Sequence, residues 1–210
     1  IEPTPAIVSG AFARMLAASA GPELVLDVGG ATTDVHYSKD LIDEQRATGS
    51  LSAYPDIGRY VYTALGTDAS QHPTLRAFLR HSRCTDALKA IYPDRSQNVY
   101  AGLLEGEVPE GLLAYVCVFL ALSQLWGDAE RGRDDNESPP PLNLQRLSSL
   151  GITGGAARIV SEPLLQRLLA TVGHPPLRMR IVVDQQYRWW ALGMLSDERL
   201  TPEIWRSIVG

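Results

Sequence analysis

Cysteine is nearly absent from this chain: Cys84 and Cys117 are the whole complement. There is no Cys-x-x-Cys pair and no histidine at metal-ligand spacing. That excludes a disulfide framework and a thiolate metal centre, and reads as two reduced thiols of a cytoplasmic protein. Long apolar runs are lacking too. The most hydrophobic stretch, Leu112 to Trp126, contains Ser123 and Gln124 and falls short of the roughly twenty residues a spanning helix needs. It is expected to be a buried helix, and no membrane is expected as partner. The first residues carry no basic segment followed by an apolar one, so no secretory leader is expected. Positive charge is not in excess: 19 Lys and Arg stand against 24 Asp and Glu, a net charge of −5. This argues against nucleic acid as the main partner. What remains, 45% hydrophobic residues in 210, suffices to bury the core of one globular domain.

The most informative stretch is Glu23 to Ser38. Leu24 to Val28 reads as a strand, Gly29-Gly30 as a turn without side chains, Thr32 and Thr33 as two hydroxyls, and Asp34 as a carboxylate opening a second strand. Glycines let backbone N–H groups converge on an anion. Asp27, at the carboxyl end of its strand, suits a hydrated Mg²⁺. Phosphate cradle, hydroxyl and carboxylate within eight residues point to a nucleotide.

Asp27-Val28-Gly29-Gly30-Ala31-Thr32-Thr33-Asp34 resembles the second phosphate motif of the actin-like ATPase superfamily, which includes sugar kinases, heat-shock chaperones and hydantoinase-type proteins. Continued through Val35-His36, the wording is most similar to the MutL/GlmL family. Those proteins are associated with glutamate mutase and other adenosylcobalamin-dependent aminomutases and are thought to be ATP-dependent reactivators; an unrelated DNA mismatch-repair protein shares the name. The resemblance implies an α/β fold, an RNase H-like half with a mixed five-stranded sheet, flanking helices and a helical insertion. It implies ATP and Mg²⁺ as ligands, with Gly29, Gly30, Ala31, Thr32 and Thr33 on the phosphates. Asp27 takes the catalytic role, and Asp27 and Asp34 are the metal residues. Ile152-Thr153-Gly154-Gly155-Ala156 is similar to the superfamily's adenosine motif, which assigns Gly154, Gly155 and Ala156 to adenosine.

The chain in order carries the rest. Thr4-Pro5 opens a helix with Ile7, Val8, Phe12, Met15 and Leu16 at helical spacing, closed by Gly21-Pro22. A second strand is expected from Thr33 to Tyr37, with His36 a strand residue rather than a ligand, and a third within Glu44 to Leu51. Residues 54–107 read as a helical insertion, with helices at Ile57 to Leu65, Leu75 to His81 and Thr85 to Ile91, broken at Gly66, His72-Pro73 and Pro93. Its basic residues, among them Arg76, Arg80, Arg83 and Lys89, read as solvated faces. A long helix follows from Val108-Pro109-Glu110 to Trp126, then a charged, proline-rich loop over 127–141 expected to be mobile. A strand ending at Thr153, a helix from Ser161, a strand from Leu177 to Val183 and a helix from Gln185 to Leu195 complete the reading. Asp184 is a further candidate site residue. The last helix resembles the family's closing connecting helix, where small residues such as Ala191 and Gly193 allow helices of the two halves to cross closely.

In the superfamily the nucleotide lies between two similar halves, and only 26 residues precede Asp27 here. The resemblance therefore implies that residues 1–210 are one actin-like subdomain, the second half, with a missing N-terminal half as partner beside an adenosylcobalamin-dependent mutase. Two other functions fit the same motifs. A small-molecule kinase would need an acceptor pocket, and a non-catalytic interaction or assembly module would keep the fold without turnover.

Overall fold

The computed structural model describes residues 4–17, 22–47, 50–53, 55–68, 72–126, 141–172 and 179–194. Its centre is β1 (Leu24–Val28), which hydrogen-bonds to β2 (Thr33–Ser38) on one side and β4 (Ser149–Thr153) on the other. With β3 (Ile57–Tyr62) and β5 (Arg180–Val183) they form one five-stranded mixed sheet in the order β3-β2-β1-β4-β5. β1 and β2 are antiparallel, β2 and β3 antiparallel, and β1, β4 and β5 parallel. Only β2 runs against the others.

Both faces of the sheet are covered, which is why β1 is apolar on both sides. On one face Leu24, Leu26, Val28, Val35, Leu150 and Ile152 join a core with α2 (His72–Arg80), α3 (Cys84–Ile91), α4 (Ser96–Leu104), α5 (Leu112–Trp126) and α6 (Glu162–Val172). α5 is buried nearly all round, as its unbroken apolar sequence requires. On the other face Val25 packs with Phe12 and Met15 of α1 (Thr4–Ala17) and Trp189 and Leu192 of α7 (Arg188–Gly193). Phe12 is fully buried there, worth roughly 3 kcal/mol of transfer free energy. α1 and α7 touch backbone to backbone: a Cβ on Gly193 would collide with the Ile7 carbonyl, and Arg14 Nη1 donates to Leu192 O at 2.9 Å. Gly193 thus serves a close crossing within this chain, between α7 and α1.

Four expectations are corrected. The third strand is β3, not Glu44 to Leu51. Residues 44–46 form an exposed turn and Leu51–Ala53 a short 3-10 helix. Ile57 to Leu65 is accordingly a strand and not a helix, because Tyr60, Val61 and Tyr62 favour a pleated surface and their alternation serves two faces. The helical segment therefore begins at His72, and Pro73 sits in the first turn of α2, where its missing N–H costs nothing. Helices α2 to α4 contribute to the main core. After Asp184 the chain first turns, and α7 starts only at Arg188. The loop expected at 127–141 lies outside the described residues except for Pro141, as does the whole turn at Gly173 to Pro176.

Candidate functional site: a glycine-lined edge of the sheet

The site is built at the carboxyl ends of β1 and β4. Leaving β1, the chain turns through Gly29 to Thr32, and the Gly29 N–H closes the turn on the Thr32 carbonyl at 2.9 Å. Among the described residues the N–H groups of Gly30, Ala31 and Thr32 have no partner. Gly30 and Ala31 are exposed. Successive free N–H groups of this kind form an anion-binding concavity. Three of the four expected donors are thus available, and that of Gly29 is spent on the turn.

A second loop, absent from the sequence reading, supports the first from behind. Thr67 donates to Gly29 O through its N–H at 3.1 Å and its hydroxyl at 3.2 Å, and Asp68 N donates to Gly30 O at 2.9 Å. The approach demands glycine at position 66, since a Cβ there would collide with the Gly30 carbonyl. Thr74, fully buried, accepts from Gly66 N at 3.1 Å and holds the loop in place. The Gly29 and Gly30 carbonyls are therefore consumed, while the N–H groups of Gly30, Ala31 and Thr32 stay free among the described residues.

Strand alternation sorts the polar residues. Asp27 faces Asp34 across β1 and β2 and faces Thr153 across β1 and β4. Thr33 points to the opposite face, is fully buried, and donates its hydroxyl to Leu65 O at 2.9 Å. That corrects its assignment to phosphate: Thr33 fixes the second loop, and Thr32, half-buried, is the hydroxyl left near the turn. Asp34 is buried and ion-paired to Arg59 of β3, whose Nε lies 2.7 Å from Oδ1 and whose Nη2 binds the same oxygen. Its expected place as a metal residue is thus already occupied by a guanidinium counter-charge. Asp27 is half-buried and has no such direct partner among the described residues. Burial, then Asp34 and Asp184, push its carboxyl up to about 6, against the opposing pull of Arg59.

The second glycine step meets the first at this point. Gly154 has φ 79°, a left-handed conformation that suits glycine, and a Cβ on it would collide with Asp27 Oδ1. Gly155 is exposed beside Val28 O, whereas Ala156 is fully buried. The fold therefore brings Asp27, Gly29, Gly30, Ala31 and Thr32 together with Gly154 and Gly155, and keeps Ala156 as packing beneath them. Asp184 is buried and structural: it accepts from Thr153 Oγ1 at 3.0 Å, Arg188 N at 2.8 Å and Trp189 N at 3.0 Å. Arg59 and Tyr187, both at this edge, have no signal in the sequence.

Other polar features are accounted for elsewhere. A cavity of about 830 Å³ opens at the opposite end of the sheet, among Glu23, Lys39, Arg146 and Arg180. Several of its charged groups already have partners: Arg146 pairs with Glu44 within the lining, Lys39 with Asp56 outside it, and Glu23 accepts from the Ser148 N–H. His36 is fully buried, with Nδ1 3.1 Å from Ser9 Oγ, and burial followed by Arg59 pushes it down to about 4. It is a neutral strand residue, as its sequence context implies. Cys84 and Cys117 are free and buried, their thiols raised by burial to about 11 and about 12. Among the described residues no three His, Cys, Asp or Glu side chains could jointly hold a metal ion, and no helix is long and apolar enough to cross a membrane.

The family model for MutL protein matches residues 1–204. This chain belongs to the MutL family. The MutL family in question is the one associated with glutamate mutase, also called MutL/GlmL. No curated protein matches the chain. Of the MutL-family motif around Asp27, the structure leaves the N–H groups of Gly30, Ala31 and Thr32 and the Asp27 carboxylate uncommitted among the described residues, and ties Gly29, Thr33 and Asp34 into the fold.

Proposed function

We propose that this MutL-family chain is the ATP-binding half of an ATP-dependent reactivating chaperone, serving in the cytoplasm an adenosylcobalamin-dependent aminomutase such as glutamate mutase. The observation that carries the reading is the convergence of two glycine segments, distant in sequence, on Asp27. The strand order, with β2 alone reversed, supports assignment to the RNase H-like, actin-like class. In open α/β sheets ligands bind outside the carboxyl ends of the strands, where these residues lie.

The residues suit the group. Free N–H groups of Gly30, Ala31 and Thr32 would receive phosphate oxygens, with the Thr32 hydroxyl beside them. Gly154 and Gly155, lacking side chains, would admit the ribose and base close to the backbone. Among the described residues no three side chains form a metal cluster, and Mg²⁺ would be held by the Asp27 carboxylate, water and phosphate, the usual manner for this ion. Bound Mg·ATP supplies a phosphoanhydride whose hydrolysis can drive domain closure. Asp27 would orient the attacking water and accept its hydrogen bond, while Arg59, locked on Asp34, keeps the second carboxylate neutralised. A second phosphate loop from the other half of the fold would complete the site, and the α1–α7 crossing would carry the motion.

The test is reactivation. Glutamate mutase inactivated with hydroxocobalamin is mixed with the full-length protein, adenosylcobalamin and Mg·ATP. Mutase activity should return with ATP, and neither with a non-hydrolysable analogue nor with Asp27→Ala. Recovery that is equal without ATP refutes the reading, and ATP consumption that requires a small-molecule acceptor points to a kinase instead.

A further inference from the structure

Tyr187 is the one non-glycine residue with positive φ among the described residues, at φ 53° and ψ 33°. An aromatic side chain in the left-handed region is disfavoured, and such outliers persist where the surroundings impose them. Here the constraint is visible. Tyr187 is the residue before α7, and the buried Asp184 carboxylate accepts from Arg188 N and Trp189 N immediately after it, while Tyr187 N donates to Asp184 O at 3.3 Å. Trp189, pinned in the same way, is buried against Gly151 of β4. The turn is thus held from both sides.

What the strain achieves is placement. The Tyr187 hydroxyl lies 3.8 Å from where a Cβ of Gly155 would stand, so the ring borders the second glycine step. The ring is only half-buried, and its hydroxyl makes no hydrogen bond among the described residues. Its covering is the Arg158 guanidinium, whose Cζ stands 4.6 Å from the ring centroid. Arg158 is exposed and makes no hydrogen bond or ion pair among the described residues, so the ring contact alone holds it. A rigid aromatic plane capped by a movable planar cation, beside a side-chain-free backbone step, suits a flat heteroaromatic ring.

We propose that Tyr187 is the shelf on which the nucleobase of the bound nucleotide stacks, with Arg158 yielding or sharing the ring face when the base arrives. This rests on the nucleotide reading above and adds the residue that would recognise the base. Stacking is the mode of recognition, since the geometry offers a π-face rather than a fixed hydrogen-bonding edge.

The test separates base from phosphate. Mg·ATP and Mg·tripolyphosphate are titrated calorimetrically into the full-length protein, its Tyr187→Phe variant, and Tyr187→Gly and Tyr187→Asn, which both tolerate the left-handed backbone. Loss of the ring in Tyr187→Gly or Tyr187→Asn should weaken ATP roughly ten-fold or more. Tripolyphosphate affinity should not change, Tyr187→Phe should match the parent for both probes, and melting temperatures should not fall. Unchanged ATP affinity in the ring-less variants overturns the shelf and leaves the nucleotide reading intact. Equal loss for both probes also overturns it, because the ring would then only shape the phosphate loop. A parent protein that binds neither probe overturns the nucleotide reading itself, and the shelf with it.

Discussion

Asp27→Asn should raise the stability of the fold while removing its chemistry. Burial above all, with Asp34 and Asp184, moves the Asp27 carboxyl from 3.8 to about 6, and Arg59 only partly opposes this. A carboxyl that holds its proton more tightly folded than unfolded makes folding less favourable as it ionises. The penalty therefore grows from about pH 4 to about pH 6 and is complete above that. A shift of this size corresponds to roughly 3 kcal/mol at most, and solvent contact at a half-buried side chain lowers it to about 1–3 kcal/mol. Asparagine keeps the shape without the charge. At pH 8 the variant should melt roughly 2–10 °C above the parent, and at about pH 4 the two should melt together.

His36 acts in the opposite sense. Its imidazole is pushed from 6.5 to about 4, so the unfolded chain binds a proton that the folded chain refuses, and stability falls as pH drops from about 6.5 to about 4. In the parent the two groups offset each other across that window. In Asp27→Asn only His36 remains, and the melting temperature should decline steadily with acid. Circular dichroism melts at pH 4, 6 and 8 read both effects. A variant less stable than the parent at pH 8, or a gain of equal size at all three values, refutes the electrostatic argument.

Gly154→Ala forces a Cβ onto Asp27 in a left-handed conformation and should cost about 1–3 kcal/mol in denaturant unfolding. Arg59→Gln leaves the Asp34 carboxylate buried without its counter-charge and should cost about 2 kcal/mol, most of it recovered in the double variant with Asp34→Asn. An additive double variant would show that the pair is not coupled. Gly193→Val pushes α7 off the Ile7 backbone and should lower the melting temperature by several degrees, about 1–3 kcal/mol of overpacking. An unchanged melt would mean that the two helices are not held at this crossing.

The parts of this fold legible in the sequence are those whose signal is local. Leu24 to Val28 is apolar apart from Asp27 and is stopped by two glycines, and β1 has those bounds. The run ending at Trp126 is apolar on every side, and α5 is buried. β3 was illegible because Gly58 and Arg59 interrupt its apolar pattern. Both have tertiary reasons: Gly58 lies under the Tyr37 ring, and Arg59 answers the charge of Asp34. α4 was missed for a similar reason, since few of its residues are buried and its sequence carries a weak stripe. At the site, the glycines announced the two turns. The spent N–H of Gly29, the inward turn of Thr33 and the pairing of Asp34 depend on register and on residues 65–68, which no local motif encodes. Tyr187 is marked only by its backbone angle, which no sequence pattern displays.

The central claim is that Gly30 to Thr32, Asp27 and the Gly154-Gly155 step form one nucleotide site. Isothermal titration of Mg·ATP into the full-length protein, its Asp27→Ala variant and its Gly155→Val variant addresses it most directly. The account predicts saturable binding by the parent and its loss in both variants, although the two positions come from segments far apart in the chain. Absence of binding by the parent, or full affinity in Gly155→Val, would contradict it.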